Sequence, residues 1–114
     1  MHGRIESGEE PEDAATRELR EETGLIASRL YSIRVQPFYI AKTHTVQLAV
    51  GFAAIVDSSQ PVQLGEEHAD HKWLSSQAAA ERLAWPGERA GLAECLVLLA
   101  GGDAGNVEDV LRIF

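Results

Sequence analysis

Three glutamates, Glu18, Glu21 and Glu22, stand at i, i+3 and i+4 within one stretch of helix-forming residues. On a helix that spacing puts all three carboxylates on one face, close to one another. Like charges so placed repel, at roughly a few tenths of a kcal/mol per pair. The stretch carries the signals of a short, closed helix from Pro11 to Thr23. Pro11 suits a first helical turn, Glu12 and Asp13 suit the positive end of the helix dipole, and Gly24 is placed as a left-handed stop. Ala15 and Leu19, with Ala14, supply the inward stripe. An isolated acidic triplet is most simply a solvated face, but a cluster of hard carboxylate oxygens is also what Mg²⁺ or Mn²⁺ requires.

The rest of the chain reads as a hairpin followed by helices. Tyr31, Ile33 and Val35 alternate with Ser32, Arg34 and Gln36 in a strand that Pro37 makes an edge, bulges or breaks. Val46, Leu48, Val50 and Phe52 share one face of a second strand, and residues 41–44 connect the two as an antiparallel hairpin. Residues 57–67 form a loop, and residues 71–74 predict a short strand. Ser75 or Ser76 can cap a helix over residues 78–83, which Trp85-Pro86-Gly87 ends. Residues 88–100 predict a last long helix with Leu92, Leu96 and Leu99 on one side, stopped by Gly101-Gly102. The tail from residue 107 to 114 is helical or extended. With no internal repeat and no linker, a single domain over residues 1–114 is expected.

A formal net charge of −8 disfavours nucleic-acid polymers and anionic membranes as partners. Small phosphorylated compounds remain open, because a bound cation reverses the local sign. The single cysteine, Cys95, excludes an intramolecular disulfide and fits a reducing compartment. No apolar run is long enough to span a bilayer and Met1-His2-Gly3-Arg4 opens no hydrophobic signal region, so a cytoplasmic protein is expected.

Around the glutamates stand Gly3, Glu9 after five residues and, after seven more, Arg17-Glu18-Leu19-Arg20-Glu21-Glu22-Thr23-Gly24-Leu25. This resembles the Nudix box, G-x5-E-x7-R-E-U-x-E-E-x-G-U with U aliphatic, at all nine specified positions. So many restricted positions at set spacings make the match far more specific than a lone glycine motif. The resemblance covers about a fifth of the chain and implies a loop–helix–loop on an α/β/α sandwich with a mixed sheet. It implies metal-dependent hydrolysis of a diphosphate linkage in a nucleoside triphosphate or related nucleoside diphosphate compound, by attack of an activated water on phosphorus. Glu18, Glu21 and Glu22 match the family's metal ligands. Arg17 matches the arginine that orients a glutamate through a salt bridge, and Glu9 the outlying glutamate with an indirect or structural role. Gly3 and Gly24 match backbone positions, and Leu19 and Leu25 packing positions.

Many members of the family place a further glutamate in a loop after the central strands. Glu66 and Glu67 sit in such a loop, where solvated charge is the plain alternative. A looser similarity runs from Glu67-His68 through Trp73-Leu74 into Ala78-Ala79-Ala80, Leu83, Trp85 and Arg89. It is to a bacterial subgroup acting on deoxyadenosine triphosphate and dihydroneopterin triphosphate, and on that alignment Glu67 is the downstream metal ligand or base. The implied metal set is therefore Glu18, Glu21, Glu22 and Glu67, with Mg²⁺ or Mn²⁺ as cofactor and Glu21, Glu67 and Arg17 as the catalytic set. His68 and His71, with no third histidine nearby and one distant cysteine, fall short of a zinc site. Trp73 and Trp85 are expected to pack in the core or as a cap rather than to stack on a base, and His44 to be solvated.

In the family the box follows some strands that here would precede Met1. The fold class expected is thus a Nudix-type α/β/α sandwich lacking its usual N-terminal strands, either a shortened chain or one completed by a second copy as a homodimer. A non-catalytic Nudix-fold module that binds nucleotide or serves as a scaffold is the alternative. The crowded, mutually repelling carboxylates weigh against it.

Overall fold

The helix that carries the glutamates forms where its end signals place it. In the computed structural model, which describes residues 4–65 and 71–114, helix α1 spans Pro11–Thr23. Glu10 is its N-cap, Pro11 occupies the first turn, and Gly24 closes it at φ 73° with its N–H donating to the Arg20 carbonyl at 2.8 Å. That left-handed backbone is the reason a glycine stands there. Ala14, rather than Ala15 or Leu19, is the fully buried residue of the helix.

Strands β1 (Arg29–Ile40) and β2 (Thr45–Ile55) pair as a two-stranded antiparallel sheet. Residues 41–44 make the turn, with His44 at φ 52° and its N–H on the Ala41 carbonyl at 3.2 Å. Pro37 lies exposed within a continuous β1, as an edge strand permits. The alternation in β2 holds, but its apolar face is covered only at one end. Val50 and Phe52 are half-buried, while Val46 and Leu48 near the turn are exposed.

Helices α2 (Ser76–Arg82) and α3 (Pro86–Leu98) follow, packed against each other. Ser75 caps α2, its Oγ accepting the Ala78 N–H at 3.2 Å. Trp85-Pro86-Gly87 does more than end α2: Pro86 takes the first position of α3, where a missing N–H costs nothing, so α3 begins earlier than its leucine pattern predicts. The tail is both helical and extended, with a 3-10 turn at Gly105–Val107, helix α4 at Glu108–Leu111 and an antiparallel bridge from Arg112 to Tyr31. The α/β content expected from the sequence is present.

Two expectations need correction. Residues 71–74 form no strand, since nothing pairs with them as a ladder among the described residues. Trp73 and Trp85 are exposed rather than packed, Trp85 standing at the N-cap of α3.

The described chain divides into two compact units. The first comprises residues 4–30, 54–65, 71–73 and 113–114, and its buried residues are Ala14, Leu25, Ala27 and Leu30. The second comprises residues 31–53 and 74–112, with Tyr31 and Ala104 buried. Among the described residues no helix is long and apolar enough to cross a membrane.

Candidate functional site

In the first unit Glu9, Glu18 and Glu21 converge on Arg17. Its side chain is largely buried, and all five of its N–H groups find acceptors. Nε and Nη2 grip the Glu9 carboxylate as a fork, at 2.9 and 3.2 Å. Nη1 donates to Glu18 Oε1 at 2.9 Å and to Glu21 Oε2 at 3.1 Å. The last donor of Nη2 reaches the Arg4 carbonyl at 2.9 Å, tying down the chain that enters the helix. Glu6 adds a more distant carboxylate at 3.9 Å.

The loop before α1 is shaped to present Glu9. The N–H of Glu9 donates to the Glu6 carbonyl and the N–H of Glu6 to Glu9 Oε1, each at 3.0 Å, with Gly8 supplying a positive φ of 79°. Glu9 is held below the usual carboxylate range, first by its hydrogen bonds from Arg17 and then by that from the Glu6 amide. Arg17 is raised in turn, chiefly by its bond to Glu9 and despite its desolvation, so it stays charged under all ordinary conditions.

Of the residues singled out in the sequence, Glu18 and Glu21 thus meet on one guanidinium. Glu18 is largely buried and Glu21 is 57% exposed. Glu22 is half-buried on the same helix, with its Oε2 out of contact with solvent. Gly3, Glu66, Glu67 and His68 lie outside the described residues. Among the described residues no group of three Asp, Glu, His or Cys side chains is arranged to hold a metal ion. The reason is visible in the bonding: Glu18 and Glu21 are turned towards Arg17. The donor set still fits a hard divalent cation in its chemistry, because two of its carboxylates already share one positive charge and all donors are oxygens.

Residues that sequence reasoning passed over hold the far end of α1. Gln63 N–H donates to the Thr23 carbonyl at 2.7 Å and Gly65 N–H to the Glu22 carbonyl at 3.1 Å. The Asp-Ser-Ser turn at residues 57–59 was the one local signal near them. Elsewhere, burial pushes the Cys95 thiol up, with Glu94 adding to the effect, which leaves it a poor nucleophile. His44 is exposed, its Nδ1 3.2 Å from the Tyr39 hydroxyl.

Comparison with known proteins agrees with the box. The model of the NUDIX domain family matches residues 1–95. An octanoyltransferase of Myxococcus xanthus is 39% identical over 91 residues, 78% of this chain and 26% of that protein. Bis(5'-nucleosyl)-tetraphosphatases (asymmetrical) of Mus musculus and Rattus norvegicus are 30% and 28% identical over 95 residues, 81% of this chain and 65% of theirs. The chain therefore spans about a quarter of the first relative and just under two thirds of the other two. With the family model covering most of its length and the box intact around Arg17, this chain belongs to the NUDIX domain family.

Proposed function

We propose that this chain is a pyrophosphohydrolase that cleaves a diphosphate linkage in a nucleoside triphosphate or related nucleoside diphosphate compound. The observation that carries the reading is the gathering on Arg17 of Glu18 and Glu21, from α1, and of Glu9, from the loop before it. Compounds of the bis(5'-nucleosyl) tetraphosphate kind are the first substrates to try, because they are named in two of the relatives. The acyl transfer named in the third is not carried over, since only 26% of that protein is matched.

In this reading Glu18, Glu21, Glu22 and Glu67 would hold Mg²⁺ or Mn²⁺, which neutralises phosphate oxygens and makes a water acidic enough to attack. The chain's own residues do the rest. Arg17, anchored by Glu9 and the Arg4 carbonyl, keeps Glu18 and Glu21 from splaying apart. It is a positioning residue. The proton of the attacking water passes to a carboxylate, for which Glu21 and Glu67 are the candidates. A cytoplasmic location and a homodimer that extends the sheet belong to the same proposal. The dimer is motivated by the exposed apolar residues Tyr39, Val46 and Leu48 at the hairpin end, and sedimentation showing only monomer would remove it.

The test is Mg²⁺-dependent release of phosphate or pyrophosphate from a panel of bis(5'-nucleosyl) tetraphosphates, nucleoside triphosphates and sugar nucleotides. Glu21→Gln, with unchanged circular dichroism, is expected to lower the rate by about 10²- to 10⁴-fold. A panel in which nothing is cleaved, while calorimetry detects nucleotide binding, would favour the non-catalytic module instead.

A further inference from the structure

The glutamates of α1 sit at its unfavourable end. Glu18, Glu21 and Glu22 fall in the last two turns before Thr23, where the dipole is negative and the final carbonyls lack partners within the helix. Carboxylates there are repelled both by one another and by the helix terminus. Left alone, such a turn frays, and the spacing that brings the three carboxylates together is lost with it.

The chain answers this from a segment some 40 residues downstream in sequence. Two carbonyls of the last turn, those of Glu22 and Thr23, receive N–H groups from Gly65 and Gln63. The Gly65 backbone comes so near that a β-carbon built on it would lie 3.3 Å from the Glu21 carbonyl oxygen and 3.8 Å from Glu22 Cα. That segment is itself fastened by Gln60. Its side-chain amide accepts from the Ile26 N–H at 3.1 Å and donates to the Ile26 carbonyl at 3.2 Å, imitating a rung of a β-ladder. Gln60 is presented by a tight turn: its own N–H bonds the Asp57 carbonyl at 3.1 Å, while Asp57 Oδ1 accepts the Ser59 N–H and hydroxyl at 2.9 and 2.8 Å. Pro61 follows with its φ fixed.

We infer that residues 60–65 are a clasp that sets the cation affinity of the α1 glutamates, with Gln60 as its anchor and Gly65 as a backbone contact on the last turn. Both are positioning residues, acting through the helix backbone. The inference rests on the proposal that Glu18, Glu21 and Glu22 take up a divalent cation. By pairing these carbonyls the clasp locks the turn in which two of the three carboxylates reside, so that they are held together before a cation joins them. Partners that hydrogen-bond metal ligands directly change affinity by about 10- to 100-fold when removed, and the clasp, acting one step further out through the helix backbone, is expected at the low end of that range.

The experiment is a calorimetric Mn²⁺ titration of the full chain, its Gln60→Met and Gly65→Ala variants, and Glu108→Gln as a control in the other unit. Circular dichroism and thermal melting are measured on each. Expected are Mn²⁺ affinities lower by about tenfold in the two clasp variants, and an unchanged affinity in Glu108→Gln despite its lower melting temperature. Should Gly65→Ala not fold, Gln60→Met decides, since it removes two hydrogen bonds from a surface turn. Folded clasp variants that bind Mn²⁺ as the parent does would overturn the clasp and leave the metal reading standing. A parent that takes up no Mn²⁺ would overturn both.

Discussion

The two units of this chain each hold a charged cluster, and the clusters are built the opposite way round. In the first unit a cation stands at the centre: Arg17 is surrounded by Glu9, Glu18 and Glu21, with Glu6 at 3.9 Å. In the second an anion does. Glu108 accepts the Tyr31 hydroxyl at 3.0 Å, the Ala104 N–H at 2.7 Å and Arg112 Nη1 at 3.3 Å. The second cluster is balanced, one carboxylate facing one guanidinium and two neutral donors, and it ties α4 to the buried start of β1. The first is not balanced. Among the described residues its single guanidinium faces several carboxylates, a surplus of negative charge that the proposed cation would offset.

That contrast can be broken by experiment. The largest effect is expected from Arg17→Gln, which strips the first cluster of the one cation among its described residues. Metal-free protein should melt well below the parent, and hydrolysis should fall by about 10- to 100-fold, as for lost supports of a metal site. If melting and rate both stayed near the parent, the surplus charge would have no organising centre and the contrast would be empty.

Tyr31→Phe probes the balanced cluster and should be milder. Removing the hydroxyl of a fully buried tyrosine costs about 1 kcal/mol by denaturant unfolding, with no change in Mn²⁺ affinity. A change in affinity would show that the two clusters are not separable in function.

The smallest effect concerns pH. Glu108 lies below the usual carboxylate range, first because of the Ala104 amide and then, against its desolvation, because of Tyr31 and Arg112. A carboxylate depressed in the folded state stabilises the fold fully above the unfolded value near 4.5, and that stability disappears as pH falls through the lower folded value. Melting temperature should therefore decline below about pH 4.5, and Glu108→Gln should flatten that decline. An equally steep acid limb in the variant would assign it to other carboxylates.

Much of the first unit was legible because its signals are local. Pro11 and Gly24 mark both ends of α1, and the i, i+3, i+4 spacing puts the glutamates on one face without any knowledge of tertiary structure. The fork of Arg17 on Glu9 was foreshadowed only by resemblance to a family, because a contact eight residues apart across a loop leaves no periodic trace. Gln60 and Gly65 were not legible at all. A side-chain amide that pairs with a backbone 34 residues away looks in the sequence like any polar loop residue. The exposed tryptophans failed for a related reason: size predicts burial on average, but Trp85 is committed to the start of α3, where Pro86 dictates the backbone. Residues 71–74, His-Lys-Trp-Leu, are too few to define a period, so the sequence could not establish a strand there.

The left-handed stop at Gly24 also governs where this chain can tolerate changes of length. Just beyond it Leu25 and Ala27 are buried at 6% and 8% exposure while Ile26, between them, is 64% exposed. A residue inserted or deleted between Gly24 and Leu25 would shift this alternation by one, turning Ile26 inward and both neighbours outward. The turn at residues 41–44 has no such phase to keep, as both strand ends there are open to water. Loop grafts, tags and natural indels should accordingly survive at the hairpin tip and be rejected within a few residues of the helix stop.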